Sequence, residues 1–353
     1  MQAQKVTLAC NLKNTFVVKD IKLLESMGYQ VLVIYSPAYR DPIRFLLNRV
    51  REFFLSLYYL PQSEALFSWF NDYHSSIPLF WARVFKKPAT LIVGGYDAVA
   101  SSKLNYGVFL KKNIRQKSAR WNYSQATNIW VVHKSLAQGC PYAEKDSGVQ
   151  SGIQFFIPEL KTEIREVPTA YDHTFWRAEK QKKLKTIITV ASIPDQRTFD
   201  RKGVPLFLEL ARNLPDFLFT VAGIQNAAIP SEPIPKNVRL IGKQSREQLQ
   251  KLYETHFYYF QGSEIEGLPN VLCEAMLCEC IPIGKKVFGI PDAIGATGLI
   301  FDSERTIEKI TAFLKQENKG LAVKARKQII DKYPLDRRQA AFEKTLIKSR
   351  RHV

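Results

Sequence analysis

Residues 257–284, which read FYYFQGSEIEGLPNVLCEAMLCECIPIG, decide the fold of this chain. Four apolar residues predict a short strand, a polar loop follows, and the next apolar residues recur at helical spacing before a second apolar run at 281–284. A strand, a helix and a second strand within about thirty residues predict a βαβ unit with parallel strands. This region is therefore expected to belong to an α/β domain.

The same alternation of strands and amphipathic helices continues on both sides of this unit. Further strands are predicted at residues 5–10, 31–35, 65–70, 89–93, 129–132, 186–191, 217–222, 238–241 and 298–301. Residues 166–181 interrupt the pattern with a proline and many polar residues, as is typical of a linker. The sequence thus predicts two Rossmann-like domains, with ligands at the carboxyl ends of their strands.

Length and composition agree with two domains. The chain has 353 residues, of which 46% are hydrophobic, and this is too long for one ordinary domain. A formal net charge of +18 attracts phosphates, anionic lipid or nucleic acid without choosing between them. The five cysteines are scattered and lack paired Cys-x-x-Cys blocks, so we expect free thiols in a reducing compartment.

The sequence predicts neither export nor a membrane span. The N-terminus runs directly into an apolar strand, without the leader and cleavage site of a signal peptide. No apolar run reaches the ~18 residues that cross a bilayer, the most suggestive stretch being residues 53–60. We expect a cytoplasmic protein whose membrane contact is peripheral, on the inner face of the cell membrane.

The loop and helix at residues 264–275 are expected to bind a ligand. Gly267 allows a ligand close to the backbone, and Pro269 suits the first turn of the helix that follows. The amides and the positive dipole end of that helix favour a phosphate or a sugar oxygen. Glu274 lies on the flank of the helix, where its carboxylate is placed to accept hydrogen bonds from a diol, and Glu266 precedes the helix.

A second charged segment follows the strand predicted at 186–191. Arg197 and Lys202 precede Gly203 in the sequence RTFDRKG. An arginine offers a two-pronged donor and a lysine a point charge, so this loop predicts a clamp for a diphosphate. The alternative is a merely solvated basic loop. The chain contains no Asp-x-Asp motif, so we expect no catalytic metal.

These motifs together resemble glycosyltransferase family 4. Glu266 and Glu274, separated by seven residues and with Gly-Leu-Pro-Asn directly after the first, resemble its Glu-x7-Glu signature. The segment from Arg197 to Gly203 resembles its Arg-x4-Lys-Gly element. Glu-Ala-Met at 274–276 and Gly-Ile-Pro at 289–291 also match, whereas Cys280 stands where the family usually has glycine.

The resemblance implies the GT-B fold, an α/β architecture of two facing Rossmann-like domains with an interdomain cleft and a C-terminal helix. We place the acceptor-side domain at residues 1–170, the donor domain at 171–330, and the helix at 331–353, packing back towards the first domain. The resemblance makes Glu266 the contact to the donor sugar and Glu274 the contact to the ribose, with Arg197 and Lys202 as the other catalytic residues. The further donor-binding residues are Gly267, Leu268, Pro269, Asn270, Ile241 and Gly242.

The resemblance is looser in the first half of the chain. Residues 94–97 read GGYD where the family usually has His-Gly-Ser-Asp, so Gly94 replaces a histidine associated with the donor sugar or the acceptor side. We expect the acceptor-side residues to be His74, Gly95, Tyr96 and Asp97. The alternative for His74 is a purely structural role.

The activity that the resemblance implies is that of a retaining glycosyltransferase of the hexosyltransferase type. It would move a sugar from a nucleotide diphosphate sugar to a hydroxyl of a glycan or lipid-linked acceptor, in cell-surface polysaccharide or glycolipid synthesis. The nucleotide sugar is a substrate, and no cofactor is expected. The alternatives are a catalytically impaired nucleotide-sugar-binding module and another GT-B enzyme such as a nucleotide-sugar epimerase.

The net charge bears on two further classes of partner, nucleic acid and membranes. Nucleic acid is not expected, because paired glutamates repel phosphodiesters and no groove-reading helix or stacking platform is recognisable. An anionic membrane surface is expected, because residues 44–58 mix arginines with bulky apolar side chains and cations cluster again at 103–120. The alternative for residues 44–58 is that the apolar side chains form an ordinary core face.

Overall fold

The computed structural model describes residues 4–142, 148–230, 233–302 and 305–350. The chain divides into two compact units. Unit 1 contains the residues up to Thr169 together with those from Asp336 onward, and unit 2 is Ala170–Leu335. Each unit has a parallel sheet with helices, which confirms the predicted α/β class.

Unit 1 is built on a six-stranded parallel sheet in the order β2-β1-β3-β4-β6-β8, beside an antiparallel pair of β5 and β7. Its strands are β1 (Lys5–Cys10), β2 (Gln30–Tyr35), β3 (Leu66–Trp69), β4 (Ala89–Val93), β5 (Val99–Ser101), β6 (Asn128–Val131), β7 (Val149–Ser151) and β8 (Ile164–Glu166). Its helices include α1 (Thr15–Ser26), α2 (Pro42–Tyr59), α3 (Tyr73–Val84), α4 (Ile114–Gln125), α5 (Ser135–Gln138) and α6 (Ile153–Phe156).

Unit 2 has a second six-stranded parallel sheet, in the order β11-β10-β9-β12-β13-β14. Its strands are β9 (Lys183–Ile193), β10 (Leu218–Ile224), β11 (Val238–Ile241), β12 (His256–Gln261), β13 (Ile281–Lys285) and β14 (Leu299–Phe301). Its helices are α7 (Gln196–Arg201), α8 (Val204–Asn213), α9 (Arg246–Thr255), α10 (Asn270–Leu277), α11 (Ile290–Ile294), α12 (Thr306–Leu314) and α13 (Lys319–Lys332).

The strand order of unit 2 locates its ligand edge. Numbered along the chain, the order is 3-2-1-4-5-6, which is that of dinucleotide-binding Rossmann folds. The chain changes direction across the sheet between β9 and β12, so the crevice outside the carboxyl ends of these two strands is where a ligand is expected. Below that edge the core is aromatic: the ring of Phe207 lies 5.0 Å from Phe219 and 5.3 Å from Phe260.

The last helix, α14 (Leu335–Arg350), belongs to unit 1 and is held there by a buried arginine. Arg338 donates from Nε to Asp20 at 3.0 Å and from NH2 to the other carboxylate oxygen at 2.5 Å. It also donates to the carbonyl of Val167 at 2.8 Å, and it is only 1% exposed. Residues 351–353 of the helix predicted at 331–353 lie outside the described part of the chain.

Several elements differ from the sequence predictions. Residues 196–201, expected as loop, form α7, because the Asp195 side chain accepts the Thr198 amide at 2.8 Å and caps the helix. Residues 164–166 form β8 at the edge of the first sheet, a strand that was not predicted and whose last residue, Glu166, was expected to open the linker. Helix α4 and the three-residue strands β5 and β7 were not predicted, since α4 is mostly polar and so short a strand shows no periodicity.

Candidate active site

Two loops meet at the carboxyl ends of β9 and β12. Gly203, with φ of +72°, lies so close to Gly262 that a Cβ on it would stand 2.1 Å from the Gly262 carbonyl oxygen. The Glu264 amide then donates to the Arg201 carbonyl at 2.9 Å. Only glycine allows this approach at position 203, so the two loops are joined backbone to backbone at the expected ligand edge.

An ion pair crosses this junction. Nζ of Lys202 donates to Oε2 of Glu266 at 2.5 Å, and the two side chains are only 17% and 20% exposed. Charges that are largely removed from water interact more strongly than a surface pair does. The structure therefore brings together two residues that are 64 positions apart in the chain.

A second ion pair lies along the same edge and was not among the predicted site residues. Nζ of Lys285 donates to Oε1 of Glu264 at 2.6 Å. Lys285 ends β13, the neighbour of β12 in the sheet. The signal that would have found it is its position directly after the strand predicted at 281–284, because carboxyl ends of parallel strands share one edge.

Glu274 lies on α10, which begins at Asn270, and it is only 3% exposed. The charges of Glu266 and Glu274 both affect the buried Tyr259 hydroxyl. Burial raises the pKa of Tyr259 well above its ordinary value, the Val190 carbonyl opposes this, and the charges of Glu266 and Glu274 raise the pKa further. The charges of both carboxylates thus act on the same phenol, in the second half of β12.

A buried polar chain supports the loop that carries Glu266. The Tyr259 hydroxyl lies 3.4 Å from the Val190 carbonyl and 3.1 Å from Oε1 of Gln261. Nε2 of Gln261 in turn donates to Oγ of Ser263 at 2.7 Å. Residues 259 and 261 share one face of β12 because side chains alternate along a strand, and this spacing is the signal that sequence reasoning missed.

Arg197 forms a different ion pair, with Asp195. It stands in the first turn of α7 with 55% of its side chain exposed, and its guanidinium is 4.0 Å from Asp195. The expected loop with two clamping cations is therefore a short helix, and Lys202 is the cation in contact with Glu266. Among the described residues, no three His, Cys, Asp or Glu side chains are grouped so as to hold a metal ion.

The remaining predicted donor residues lie along the same end of the sheet. The Gly267 carbonyl accepts the Gly289 amide at 3.0 Å, which ties the loop to the start of α11. Leu268 is buried and Pro269 is the N-cap residue of α10. Ile241 ends the edge strand β11, and the carbonyl of the following Gly242 accepts the amide of Gly223 in β10 at 3.2 Å.

In unit 1, Asp97 is a buried acceptor of backbone amides. Its carboxylate accepts the amides of Gly95 at 2.8 Å, Gly94 at 3.2 Å and Asn71 at 3.1 Å. Burial raises the pKa of Asp97 to about 6, although these amides oppose the shift. The side chain holds the loop after β4 against the loop after β3, a geometry that suits a structural role.

Tyr96 is half-buried and lies under a cation. The Arg115 guanidinium is 4.8 Å from the centre of the Tyr96 ring, and its Nε donates to Asp72 at 2.8 Å. Burial alone would raise the pKa of Asp72, but the hydrogen bond and charge of Arg115 lower it. Tyr96 is therefore the predicted acceptor-side side chain that remains partly accessible in unit 1.

His74 is buried and accordingly neutral. Its Nε2 lies 2.8 Å from the Trp69 carbonyl, so it is assigned as the protonated nitrogen. Burial lowers the pKa of His74 to about 4. This placement favours the structural alternative for His74.

We expect His74 to make the protein sensitive to acid. In the unfolded chain His74 binds a proton near pH 6.5, whereas in the folded chain it does so only near pH 4. The stability that neutral His74 provides is therefore complete above pH 6.5 and is lost as the pH falls towards 4. Asp97 has the opposite sign, since its contribution is lost as pH rises through about 6. Between pH 7 and pH 4 the free energy of unfolding should fall by roughly 2–3 kcal/mol less in His74→Gln than in the wild type. Urea denaturation at the two pH values measures this difference. Parallel stability curves would contradict this.

Gly94 leaves room for an aromatic ring. Phe70, with φ of +67°, directly follows β3, and a Cβ on Gly94 would lie 2.4 Å from its ring. The ring is held between Phe16, with centroids 5.4 Å apart, and Trp69, at 5.7 Å. The volume that a side chain at position 94 would need, histidine included, is thus filled by Phe70.

This packing predicts a coupled pair of substitutions. Gly94→Ala should lower the free energy of unfolding by about 1–3 kcal/mol, because the new methyl group meets the Phe70 ring. In a Phe70→Ala background the same change should cost less than about 0.5 kcal/mol, which urea denaturation of the four proteins can measure. Additive effects of the two substitutions would show that the ring does not fill the space.

The sequence of unit 2 matches a known protein family. Residues 172–332 match the family of Glycosyl transferases group 1. The matched stretch contains Lys202, Glu266 and Glu274, and it runs from before β9 to the end of α13. No curated protein sequence matches the chain.

Solved structures resemble the whole chain. Sucrose-phosphate synthase from Thermosynechococcus elongatus has a TM-score of 0.71 at 10% identity, over 99% of this chain and 100% of that one. Anabaena HepE in complex with UDP has a TM-score of 0.68 at 12% identity, over 98% of this chain and 100% of the HepE chain. TarM has a TM-score of 0.61 at 15% identity. That match covers 83% of this chain and 58% of the TarM chain.

At such identities the likeness establishes the fold. The chain has the GT-B fold, with two Rossmann-like α/β units. The family match over residues 172–332 supports a glycosyltransferase.

Proposed function

We propose that the chain transfers a sugar from a nucleotide diphosphate sugar to a hydroxyl of a glycan or lipid-linked acceptor, with retention of anomeric configuration. The observation that carries the proposal is the Lys202–Glu266 pair at the carboxyl edge of unit 2, next to the loop that opens α10. Anabaena HepE in complex with UDP-glucose, and starch synthase IV from Arabidopsis thaliana bound to ADP and acarbose, support it by their likeness.

The diphosphate, the ribose and the sugar of such a donor each have a matching group on this edge. Lys202 and the first amides of α10 hold the diphosphate, because a cation and a helix N-terminus both favour phosphate oxygens. Arg197, exposed beside Asp195, supplies a second cation from α7. Glu274 accepts hydrogen bonds from the ribose hydroxyls, and Glu266 from a hydroxyl of the sugar.

The transfer exchanges one bond at the anomeric carbon for another. The bond from that carbon to the diphosphate oxygen breaks, and the acceptor oxygen bonds to the carbon on the same face. The proton of the acceptor hydroxyl passes to the departing phosphate oxygen. Lys202 stabilises the charge that develops on the diphosphate, in a place where its own exposure of 17% limits screening by water.

A donor screen tests the proposal. UDP-, GDP- and ADP-sugars are added to the full chain, with CMP-sugars as controls that lack a diphosphate, and thermal unfolding is followed. The correct donor at 100 times its dissociation constant should stabilise the protein by ~2.7 kcal/mol. Glu274→Ala should abolish this gain, whereas Glu209→Ala, on the exposed side of α8, should retain it.

Product analysis completes the test. Incubation of the stabilising donor with acceptor sugars should give a product whose anomeric configuration, read by NMR, equals that of the donor. Stabilisation without donor turnover would indicate a binding module instead of an enzyme. No stabilisation by any nucleotide diphosphate sugar would overturn the proposal.

A further inference from the structure

Helix α2 presents its apolar side outward. Its buried side chains are the polar residues Asn48, Glu52 and Ser56, spaced four residues apart on one face. The opposite side carries eight large apolar side chains that are between 37% and 70% exposed: Ile43, Leu46, Leu47, Val50, Phe53, Phe54, Leu57 and Tyr58. An ordinary surface helix has the reverse arrangement, so these apolar side chains do not form a core face of unit 1.

The inverted orientation is fixed by hydrogen bonds. Nδ2 of Asn48 donates to Oγ of Ser36 at 2.6 Å, and NH2 of Arg49 donates to the same oxygen at 2.7 Å. Arg49 also pairs with the buried carboxylate of Glu52. These contacts hold the polar face of α2 on unit 1, at the end of β2, and so leave the apolar face turned to solvent.

The exposed apolar surface continues onto α3. The Phe53 ring lies 5.1 Å from the ring of Trp81, and Phe80 and Val84 on α3 are exposed. We call the eight α2 side chains together with Phe80 and Val84 the apolar face. Contiguous apolar surface spread over two helices marks an interaction site.

The charged residues of the helices around the apolar face are mostly basic. Helices α2, α3 and α4 contain a single acidic residue, Glu52, and it is buried. Helix α4 packs beside α3, where Oγ of Ser118 lies 2.8 Å from Oγ of Ser76. The same three helices carry seven basic residues, which are Arg44, Arg49, Arg51, Arg83, Arg115, Lys117 and Arg120.

We propose that the apolar face docks on an anionic lipid bilayer, with α2 lying in the plane of the interface. Such a surface supplies an apolar layer for the side chains and negative headgroups for the arginines beside them. A second copy of the chain would also cover the apolar face. It would, however, bring the arginines of two chains, each with a net charge of +18, against one another.

Vesicle sedimentation tests this docking without any donor or acceptor, so its outcome is independent of the proposed function. The full chain should bind vesicles of phosphatidylcholine with one quarter phosphatidylglycerol at low salt, and not vesicles of phosphatidylcholine alone. Leu46→Gln and Phe54→Gln should each weaken binding at least about tenfold. Arg44→Gln and Arg51→Gln should each weaken it about fivefold.

Helix α13 of unit 2 provides the matched control. Val323 is 65% exposed and adjoins the exposed Lys324, so Val323→Gln and Lys324→Gln make the same chemical changes on another helix. Both variants should bind vesicles as the wild type does. Absence of binding by the wild type, or equal losses in the control variants, would overturn the proposal. A dimer that Leu46→Gln dissociates, without vesicle binding, would assign the face to a second copy.

A fluorescent probe reports contact directly. Four of the five cysteines are buried, so Cys140→Ser provides a background in which Phe54→Cys can be labelled with a polarity-sensitive dye. The emission of this dye should shift to the blue on adding anionic vesicles. A dye at Val323→Cys should not shift, and equal shifts at both positions would contradict docking through α2.

Discussion

Lys202→Ala is expected to reduce kcat/KM for sugar transfer by about 10²–10³-fold. Lys202 lies at the junction of the two loops, 2.5 Å from Glu266, and water screens its charge only partly. Removing a fixed charge that stabilises a leaving group typically costs ~2.7–4 kcal/mol of the barrier. Steady-state kinetics with the donor found by the screen would measure the effect.

The control for Lys202 is a lysine of the same unit in a surface ion pair. Nζ of Lys309 lies 2.6 Å from Asp302, and its side chain is 42% exposed. Lys309→Ala should leave kcat/KM within about twofold of the wild type, because exposed pairs contribute little. Equal rates for Lys202→Ala and Lys309→Ala would show that Lys202 takes no part in transfer.

Arg338→Met is expected to lower the free energy of unfolding of unit 1 by about 3–5 kcal/mol. The substitution leaves the carboxylate of Asp20 buried without the guanidinium that pairs with it. It also removes the donor to the Val167 carbonyl. Urea denaturation followed by tryptophan fluorescence is a local readout, because Trp69 and Trp130 lie within about 5.5 Å of the Arg338 guanidinium.

Two further variants define the origin of that loss. Adding Asp20→Asn to Arg338→Met should recover part of the stability, because the uncompensated buried charge is then gone. The neighbouring Arg337 is exposed, so Arg337→Met should change the free energy of unfolding by less than about 0.5 kcal/mol. A loss no larger for Arg338→Met than for Arg337→Met would refute the anchoring role.

Much of the fold could be predicted because buried parallel strands appear in the sequence as apolar runs. Strands β9, β12 and β13 lie where such runs occur, each with bounds within a few residues of the prediction. Helix α7 was missed because its start depends on one cap at Asp195. Strands β5 and β7 were missed because three residues carry no periodicity.

The candidate site could be predicted only where spacing along the chain carries the information. The seven residues between Glu266 and Glu274 are a local pattern, which a sequence displays directly. The pairing of Lys285 with Glu264 depends instead on which strands are neighbours in the sheet. For α2 the sequence left two possibilities open, because helical spacing predicts an apolar stripe without showing whether that stripe or Asn48 and Glu52 meet the core.

The central claim is that the carboxyl edge of unit 2 binds a nucleotide diphosphate sugar through Lys202 and Glu274. Calorimetric titration of the wild-type chain, Lys202→Ala, Glu274→Ala and Lys309→Ala with the donor tests this most directly. We predict one binding site per chain, with affinity reduced at least about tenfold in the first two variants and unchanged in the third. Equal donor affinity in all four proteins would contradict the claim.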